Sequence, residues 1–166
     1  MYMTINDFIE DWKEESEATL KVFSKIPDNV LSIKDNVNVR TLGRLAWHIT
    51  QTVTEMLNSC GITDEDPLAN RDLPSNMREI KAHYEQHSVH LTEIINQKWT
   101  DETLTQPLTI YGQTWQGRKV LSILIKHQIH HRAQMTIVMR QHNLPVPGIY
   151  GPSKEEWSQY GMDAQE

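Results

Sequence analysis

Apolar residues recur every three or four positions in four separate stretches of the chain, a pattern typical of helices that bury one face. The stretches cover about residues 4–25, 41–60, 75–98 and 117–142. Thr4 or Asn6 can cap the start of the first helix, and Gly61 is suited to end the second, because glycine readily adopts the left-handed conformation of a helix C-terminus. Four amphipathic helices of roughly 20–25 residues predict an all-α four-helix bundle.

The connections between these helices are long and rich in polar residues, and each contains proline. They cover about residues 27–40, 62–75 and 100–116. At about 3.3 Å per residue, such connections can cross the full length of a helix, so the sequence alone leaves the bundle topology open. Local alternation around Tyr111 and Gly112 predicts a short extended segment or hairpin before the last helix. We expect residues 143–166 to form an ordered, irregular tail over the bundle.

Composition narrows the class of protein. The 166 residues fit a single domain over 1–166 and carry a net charge of −6 without a basic run. This charge argues against binding to nucleic acid or to an anionic membrane surface. Cys60 is the only cysteine, so an internal disulfide is excluded. The first residues lack the apolar core of a signal peptide, and no stretch is long and apolar enough to span a membrane, so we expect a cytoplasmic protein.

Two histidines on the fourth helix are the strongest candidates for chemistry. His127 and His131 lie four residues apart on its apolar side, which places their rings one turn apart on the same face. His48 lies at the flank of the apolar stripe of the second helix and can also point inward. Neutral imidazole nitrogens suit zinc, nickel or copper better than magnesium or calcium. The sequence therefore predicts a transition-metal site, with buried histidines that only form hydrogen bonds as the alternative.

The fourth helix does not carry the motif of a zinc protease. That motif is His-Glu-x-x-His, and this chain has Gln128 where the glutamate would act as the general base. His130 is turned about 100° from His131 and is expected to lie outside the site. His142 is predicted to be a solvated residue at the helix C-terminus, where positive charge is favourable.

A second histidine pair, His83 and His87, lies on the third helix. His87 falls on the apolar seam and is a candidate for a fourth metal ligand, whereas His83 is expected to be exposed. The sequence does not decide the position of His90.

The segments GRLAWHIT and HQIHHRAQM, about eighty residues apart, resemble the DinB/YfiT family of metal-binding four-helix bundles. TLGRLAWHIT, YGQTW and MRQHNLPVPGIYGPSKEEW extend the resemblance over nearly the whole chain and are similar to the DinB subgroup. Carried over by position, the family's three metal ligands fall on His48, His127 and His131. One departure is Ala133, where the family often has glycine in HHRGQ.

The resemblance implies an up-down-down-up bundle, commonly a homodimer, that holds zinc or nickel with three imidazoles. Some relatives are metal-dependent transferases or isomerases that use a low-molecular-weight thiol. Gln134 could then orient a ligand or a bound water, and Arg132 is expected to contact another helix or the tail. Glu55, two turns from His48, is a further candidate for supporting the ligands.

Three functions follow as hypotheses. The first is a metal-dependent thiol S-transferase or hydrolase-like enzyme, although no general base can be identified. The second is a non-catalytic metal-binding or dimerisation module, which a fourth ligand would favour. A DNA-repair role is the third and is disfavoured by the negative charge. Trp47 and Trp115 either line a pocket or fill the core, and Cys60 is expected to be a small core residue.

Overall fold

The predicted four-helix bundle is confirmed in a computed structural model that describes residues 1–164. The helices are α1 (Ile5–Phe23), α2 (Leu42–Ser59), α3 (Met77–Lys98) and α4 (Gly117–Gln141). Two short strands, β1 (Pro107–Ile110) and β2 (Gln113–Gln116), precede α4. Short 3₁₀ segments lie at Asp28–Val30, Asp101–Thr105 and Trp157–Tyr160. Within residues 1–164, no helix combines the length and apolar character needed to cross a membrane.

Side-chain caps set where three of the helices begin. Thr4, Thr41 and Asn76 each accept a hydrogen bond from the backbone N–H three residues later, at the starts of α1, α2 and α3. These bonds satisfy backbone donors that have no partner inside the helix. Gly61 lies just beyond α2 with a φ of +75°, as its predicted role at the helix end requires.

Each of α1 and α2 packs against both α3 and α4. The contacts between α1 and α3 run in opposite directions along the two helices. The indole N–H of Trp12 donates to the carbonyl oxygen of Ser88, and Ser24, just after α1, bonds to Lys81 near the start of α3. Helices α1 and α3 are therefore antiparallel.

Helices α2 and α3 run parallel, since Trp47 packs on His83 while Ile62, just beyond α2, bonds to Lys98 at the end of α3. Helices α2 and α4 are antiparallel. The later part of α2 reaches the hairpin that precedes α4, where Tyr111 donates to Glu55 over 2.7 Å. These directions give the up-down-down-up order.

The extended segment before α4 is a two-stranded antiparallel hairpin. Tyr111 and Gly112 form its turn and both have positive φ, +52° and +71°. This combination is typical of the tight hairpin turns whose twist matches that of the strands. The bond from the Tyr111 hydroxyl to Glu55 fixes the hairpin to the far end of α2.

The first connection is more than a polar linker, contrary to the sequence-based expectation. Val30 and Leu31 are buried, and the backbone N–H of Gly43 donates to the carbonyl oxygen of Leu31 over 3.0 Å. A Cβ atom at position 43 would lie only 2.9 Å from that oxygen, so glycine permits the approach. The start of the loop is thereby fixed to the first turn of α2.

An ion pair between Arg132 of α4 and Glu15 of α1 lies inside the bundle. Their closest atoms are 2.6 Å apart, and the side chains are only 3% and 8% exposed. The guanidinium also donates to the Thr19 hydroxyl over 3.2 Å and to the Tyr150 hydroxyl over 2.6 Å. Tyr150 in turn donates to Glu15 over 2.7 Å. Arg132 therefore contacts both another helix and the tail.

We predict that Glu15→Gln lowers the free energy of unfolding by about 3–5 kcal/mol, because it leaves the buried guanidinium without a counter-charge. The matched control is Glu155→Gln, which breaks the exposed pair with Arg140 and should cost less than about 1 kcal/mol. Chemical denaturation of both variants measures the difference. Equal, small losses would contradict a stabilising role for the buried pair.

Candidate metal centre

Three histidine rings meet where α2 crosses α4. His48 comes from α2, whereas His127 and His131 come from successive turns of α4. Because α2 and α4 are antiparallel and packed together, the ring from α2 lies opposite the pair from α4. The structure thus brings together all three histidines that the sequence analysis selected.

The three rings point the same kind of nitrogen at one another. His127 Nε2 lies 3.1 Å from His48 Nε2 and 3.1 Å from His131 Nε2. The ring centroids are 4.4–4.9 Å apart, and each pair meets at a steep angle rather than stacking. Edges carrying Nε2, rather than ring faces, therefore define the centre of the cluster.

Hydrogen bonds alone do not satisfy these nitrogens. A neutral imidazole offers one lone pair at its unprotonated nitrogen, and that lone pair accepts one well-directed hydrogen bond. His127 Nε2 faces two other Nε2 atoms at the same distance. A proton shared with one of them still leaves a second close nitrogen–nitrogen contact without a proton between the two atoms. A cation among the three nitrogens would attract all of their lone pairs.

The spacing also matches the size of a transition-metal ion. Zinc–nitrogen bonds of about 2.0–2.1 Å place two ligand nitrogens in a tetrahedral site about 3.3–3.4 Å apart. The two observed separations of 3.1 Å lie close to that value. The donor set, three neutral nitrogens, suits zinc, nickel or copper.

The surroundings keep these rings neutral. Burial is the main cause that lowers the pKa of His48 and His127 to about 4, and the neighbouring histidines lower it further. Burial also lowers the pKa of His131. The positive charge of Arg40 contributes to the lowering at all three rings. At neutral pH the rings are therefore uncharged, which is the form that binds metals.

Gln134 orients His131 from outside the cluster. Its side-chain oxygen lies 2.8 Å from His131 Nδ1 and can only accept, so Nδ1 carries the proton and Nε2 keeps its lone pair. The amide nitrogen of Gln134 lies 3.0 Å from Nε2 of His130. His130 is exposed and lies outside the cluster, yet it contacts the residue that supports His131.

Two residues predicted to bind the metal or support its ligands lie away from the histidine cluster. His87, the candidate for a fourth ligand, is buried on α3, where its ring stacks 6.1 Å from that of His83, and it is not part of the nitrogen cluster. Glu55 accepts hydrogen bonds from Tyr111 and Ser59, not from a ligand histidine. Helical spacing placed both residues on an inward face but did not give their depth along the bundle.

The aromatic candidates also lie away from the rings. Trp47 is fully buried and donates to the carbonyl oxygen of Arg71, so it fills the core. Trp115 belongs to the hairpin, where Lys119 lies over its ring. Neither residue lines the cavity next to the histidines.

Three further histidines and the lone cysteine are not part of the histidine cluster. His142 is not a solvated cap, because its Nε2 lies 3.0 Å from the carboxylate of Asp35 and its side chain is only 12% exposed. His83 is half-buried, with its ring packed edge-on against Trp47. His90 is exposed beside Glu93, and Cys60 is buried.

Two arginines near the rings were missed by the sequence analysis. The charges of Arg40 and Arg44 both contribute to the low pKa of His48. Arg40 also borders a cavity of about 510 Å³ that reaches His131. The available signal for Arg44 was its position in α2 one turn before His48, whereas Arg40 precedes the N-cap Thr41 and had no such signal.

A four-helix bundle with three converging imidazoles defines a class of helical proteins with a candidate metal centre between two helices. The sequence model of one protein family, the DinB family, matches residues 1–165. The chain belongs to the DinB family, which confirms the resemblance seen in the sequence.

The relatives support this membership. A protein of Bacillus subtilis (strain 168), described as uncharacterized protein YrdA, is 36% identical over 164 residues, which are 99% of this chain and 98% of that protein. The crystal structure of a DinB-like protein from Bacillus cereus ATCC 10987 matches with a TM-score of 0.83 and 35% identity, over 90% of this chain and 100% of that one. A DinB-like protein of Bacillus subtilis, YjoA, has a TM-score of 0.66 at 19% identity over 84% and 95% of the two chains, and so shows the fold alone.

We predict that His48 of the metal-free protein titrates near its lowered pKa of about 4, and that His127→Gln moves this pKa upward, because one neighbouring charge is removed. Histidine ring signals followed by NMR against pH measure both values. His90→Gln, at an exposed position, is the control and should leave His48 unchanged. A His48 pKa near the ordinary 6.5 in the metal-free protein would contradict the described environment.

The same shifts predict the direction of acid destabilisation. Because the folded-state pKa of His48 and His127 lies below the ordinary value of 6.5, the unfolded chain binds more protons between those two values. The histidine contribution to stability is thus present above pH 6.5 and declines as the pH falls toward about 4. Denaturation of the metal-free protein across this range should show a smaller decline in a His48→Gln, His127→Gln double variant.

Proposed function

We propose that His48, His127 and His131 hold a divalent transition metal, zinc or nickel, and that this centre serves a transferase acting with a low-molecular-weight thiol. The observation that carries the proposal is the convergence of three Nε2 atoms, two pairs of which are 3.1 Å apart. Membership of the DinB family is compatible with metal binding.

The number of ligands favours a reactive centre over a purely structural one. Closed structural zinc sites have four protein ligands, whereas catalytic sites have three and leave a position for water or substrate. Among residues 1–164, the group of clustered metal-binding side chains contains three histidines and no carboxylate or thiol. The alternative function, a non-catalytic metal-binding module, would need a further protein ligand such as His87, which lies outside the group.

A bound metal would supply a Lewis acid that lowers the pKa of a coordinated thiol or water toward neutrality. In the transfer, a sulfur–carbon bond forms to the electrophile, the bond to its leaving group breaks, and the thiol proton passes to solvent. The protein residues orient this chemistry. Gln134 fixes the tautomer of His131, and partial burial of the rings limits access of water. A homodimer, as the resemblance implies, stays a prediction for light scattering to test.

We predict that protein purified without added metal or an affinity tag contains close to one zinc or nickel per chain. Single alanine substitutions at His48, His127 or His131 should reduce the content to background, because two imidazoles hold the ion far more weakly than three. Elemental analysis measures it, with His87→Ala as a matched histidine control that should keep the metal. Full retention of the metal in the three cluster variants would contradict the assignment of these histidines as ligands.

We predict that Gln134→Leu weakens metal affinity by about 10–100-fold, as is typical for loss of a group that orients a ligand histidine. Competition with a chromophoric chelator measures the affinity. Gln134→Glu, which keeps an acceptor for His131 Nδ1, should retain binding. If the leucine variant bound as tightly as the wild type, Gln134 would have no orienting role.

A further inference from the structure

The cavity beside the histidine cluster has an unusual charge for this protein. It has a volume of about 510 Å³, within the range of about 300–1,000 Å³ that small-molecule sites occupy. The chain carries a net charge of −6, yet the residues that line this cavity include one arginine and no aspartate or glutamate. A local positive charge on an acidic protein favours an anionic ligand.

The charge at this cavity comes from Arg40, which is unpaired. Within the described residues, Arg40 takes part in none of the ion pairs. The carboxylate of Asp35, in the adjoining groove, lies instead 3.0 Å from His142. Arg40 directly precedes Thr41, the N-cap of α2, so the positive end of the helix dipole adds to its charge.

The loop that carries Arg40 has a defined shape. The side chain of Asn36 accepts a hydrogen bond from the backbone N–H of Asn38 over 2.8 Å, and its carbonyl oxygen accepts from the N–H of Val39 over 3.1 Å. These bonds form a turn immediately before Arg40. The loop therefore presents Arg40 at a set position along the cavity.

Of the three ligand histidines, His131 lines this cavity, so the cavity joins the charge of Arg40 to one ligand of the proposed metal centre. His131 and Gln134 line one part of it, and Arg40 lines another. Apolar side chains also line the cavity. A ligand in this cavity would thus reach His131, apolar side chains and a cation.

We propose that this cavity binds a small thiol that carries a carboxylate, with the carboxylate paired to Arg40 and the sulfur directed to the three-histidine centre. The apolar part of the ligand lies against Leu45, Ile137 and Val138, and the amides of Asn38 and Gln141 offer further hydrogen bonds. Arginine suits this role because its planar guanidinium binds a carboxylate through two parallel hydrogen bonds. The inference rests on the proposed function and specifies its substrate class.

The test uses cobalt-loaded protein and two ligands with the same skeleton, 3-mercaptopropionate and its methyl ester. Sulfur binding to cobalt gives a charge-transfer absorption band, from which a Kd is obtained for each ligand. The two thiols differ in basicity, so the deciding quantity is how the ratio of the two Kd values changes between protein variants. Cobalt content is measured before each titration.

We expect Arg40→Gln to weaken binding of the carboxylate about tenfold or more while leaving binding of the ester unchanged, because only the acid loses a charged hydrogen-bond partner. Arg44→Gln is the matched control, since Arg44 also lies near His48 but does not line the cavity. It should preserve the ratio of the two Kd values. Added salt should weaken the acid more than the ester.

An unchanged ratio in Arg40→Gln, or equal losses in Arg40→Gln and Arg44→Gln, would overturn the pairing with Arg40 and leave the metal centre intact. Failure of both thiols to perturb bound cobalt would overturn the thiol part of the proposed function and this inference with it. Failure of the wild-type protein to bind cobalt would overturn the metal centre itself. The measured cobalt content separates these outcomes.

Discussion

The buried guanidinium of Arg132 requires a counter-charge, and that requirement holds much of the bundle together. A charge taken out of water is strongly destabilising unless it is paired and hydrogen-bonded. Glu15 supplies the charge from α1, and Thr19 and the Tyr150 hydroxyl complete the hydrogen bonds. One side chain of α4 thus fixes the position of α1 and of the tail.

The same pair of positions fixes the rotation of α4 about its own axis. Arg132 directly follows His131, and adjacent residues of a helix point about 100° apart. When Arg132 faces α1, His131 must face α2, where it meets His48. The polar core on one side of α4 and the nitrogen cluster on the other are therefore set by a single orientation of the helix. Gln128, which is buried against Tyr84, adds a second polar contact that holds this orientation.

Local signals in the sequence were sufficient for the elements and for the ligand set. Capping residues such as Thr4 and the turn at Tyr111 and Gly112 depend on chemistry within a few residues, so the helices and the hairpin could be predicted. The spacing of His127 and His131 likewise needs only the helical repeat. The family pattern added the agreement on His48.

Local sequence signals did not give the depth of a residue along the bundle or the path of the loops. Glu55 has the right helical face, yet it lies level with the hairpin and not with the rings. His87 is buried as its seam position requires, but it stacks on His83 and borders a different cavity, together with Thr54 and Leu57 of α2. The position of Arg40 depends on a loop whose start is fixed by Leu31 against Gly43, a contact between residues with no distinctive local pattern.

The nitrogen cluster joins residues that are distant in the chain. His48 and His127 are 79 positions apart, and their helices are separated by the whole of α3 and the hairpin. No contiguous fragment shorter than this span can assemble the three rings. The closeness of the imidazoles is therefore a reporter of native topology, and spectroscopic signals from these rings would register the final docking of α2 on α4 during folding, separately from formation of the helices themselves.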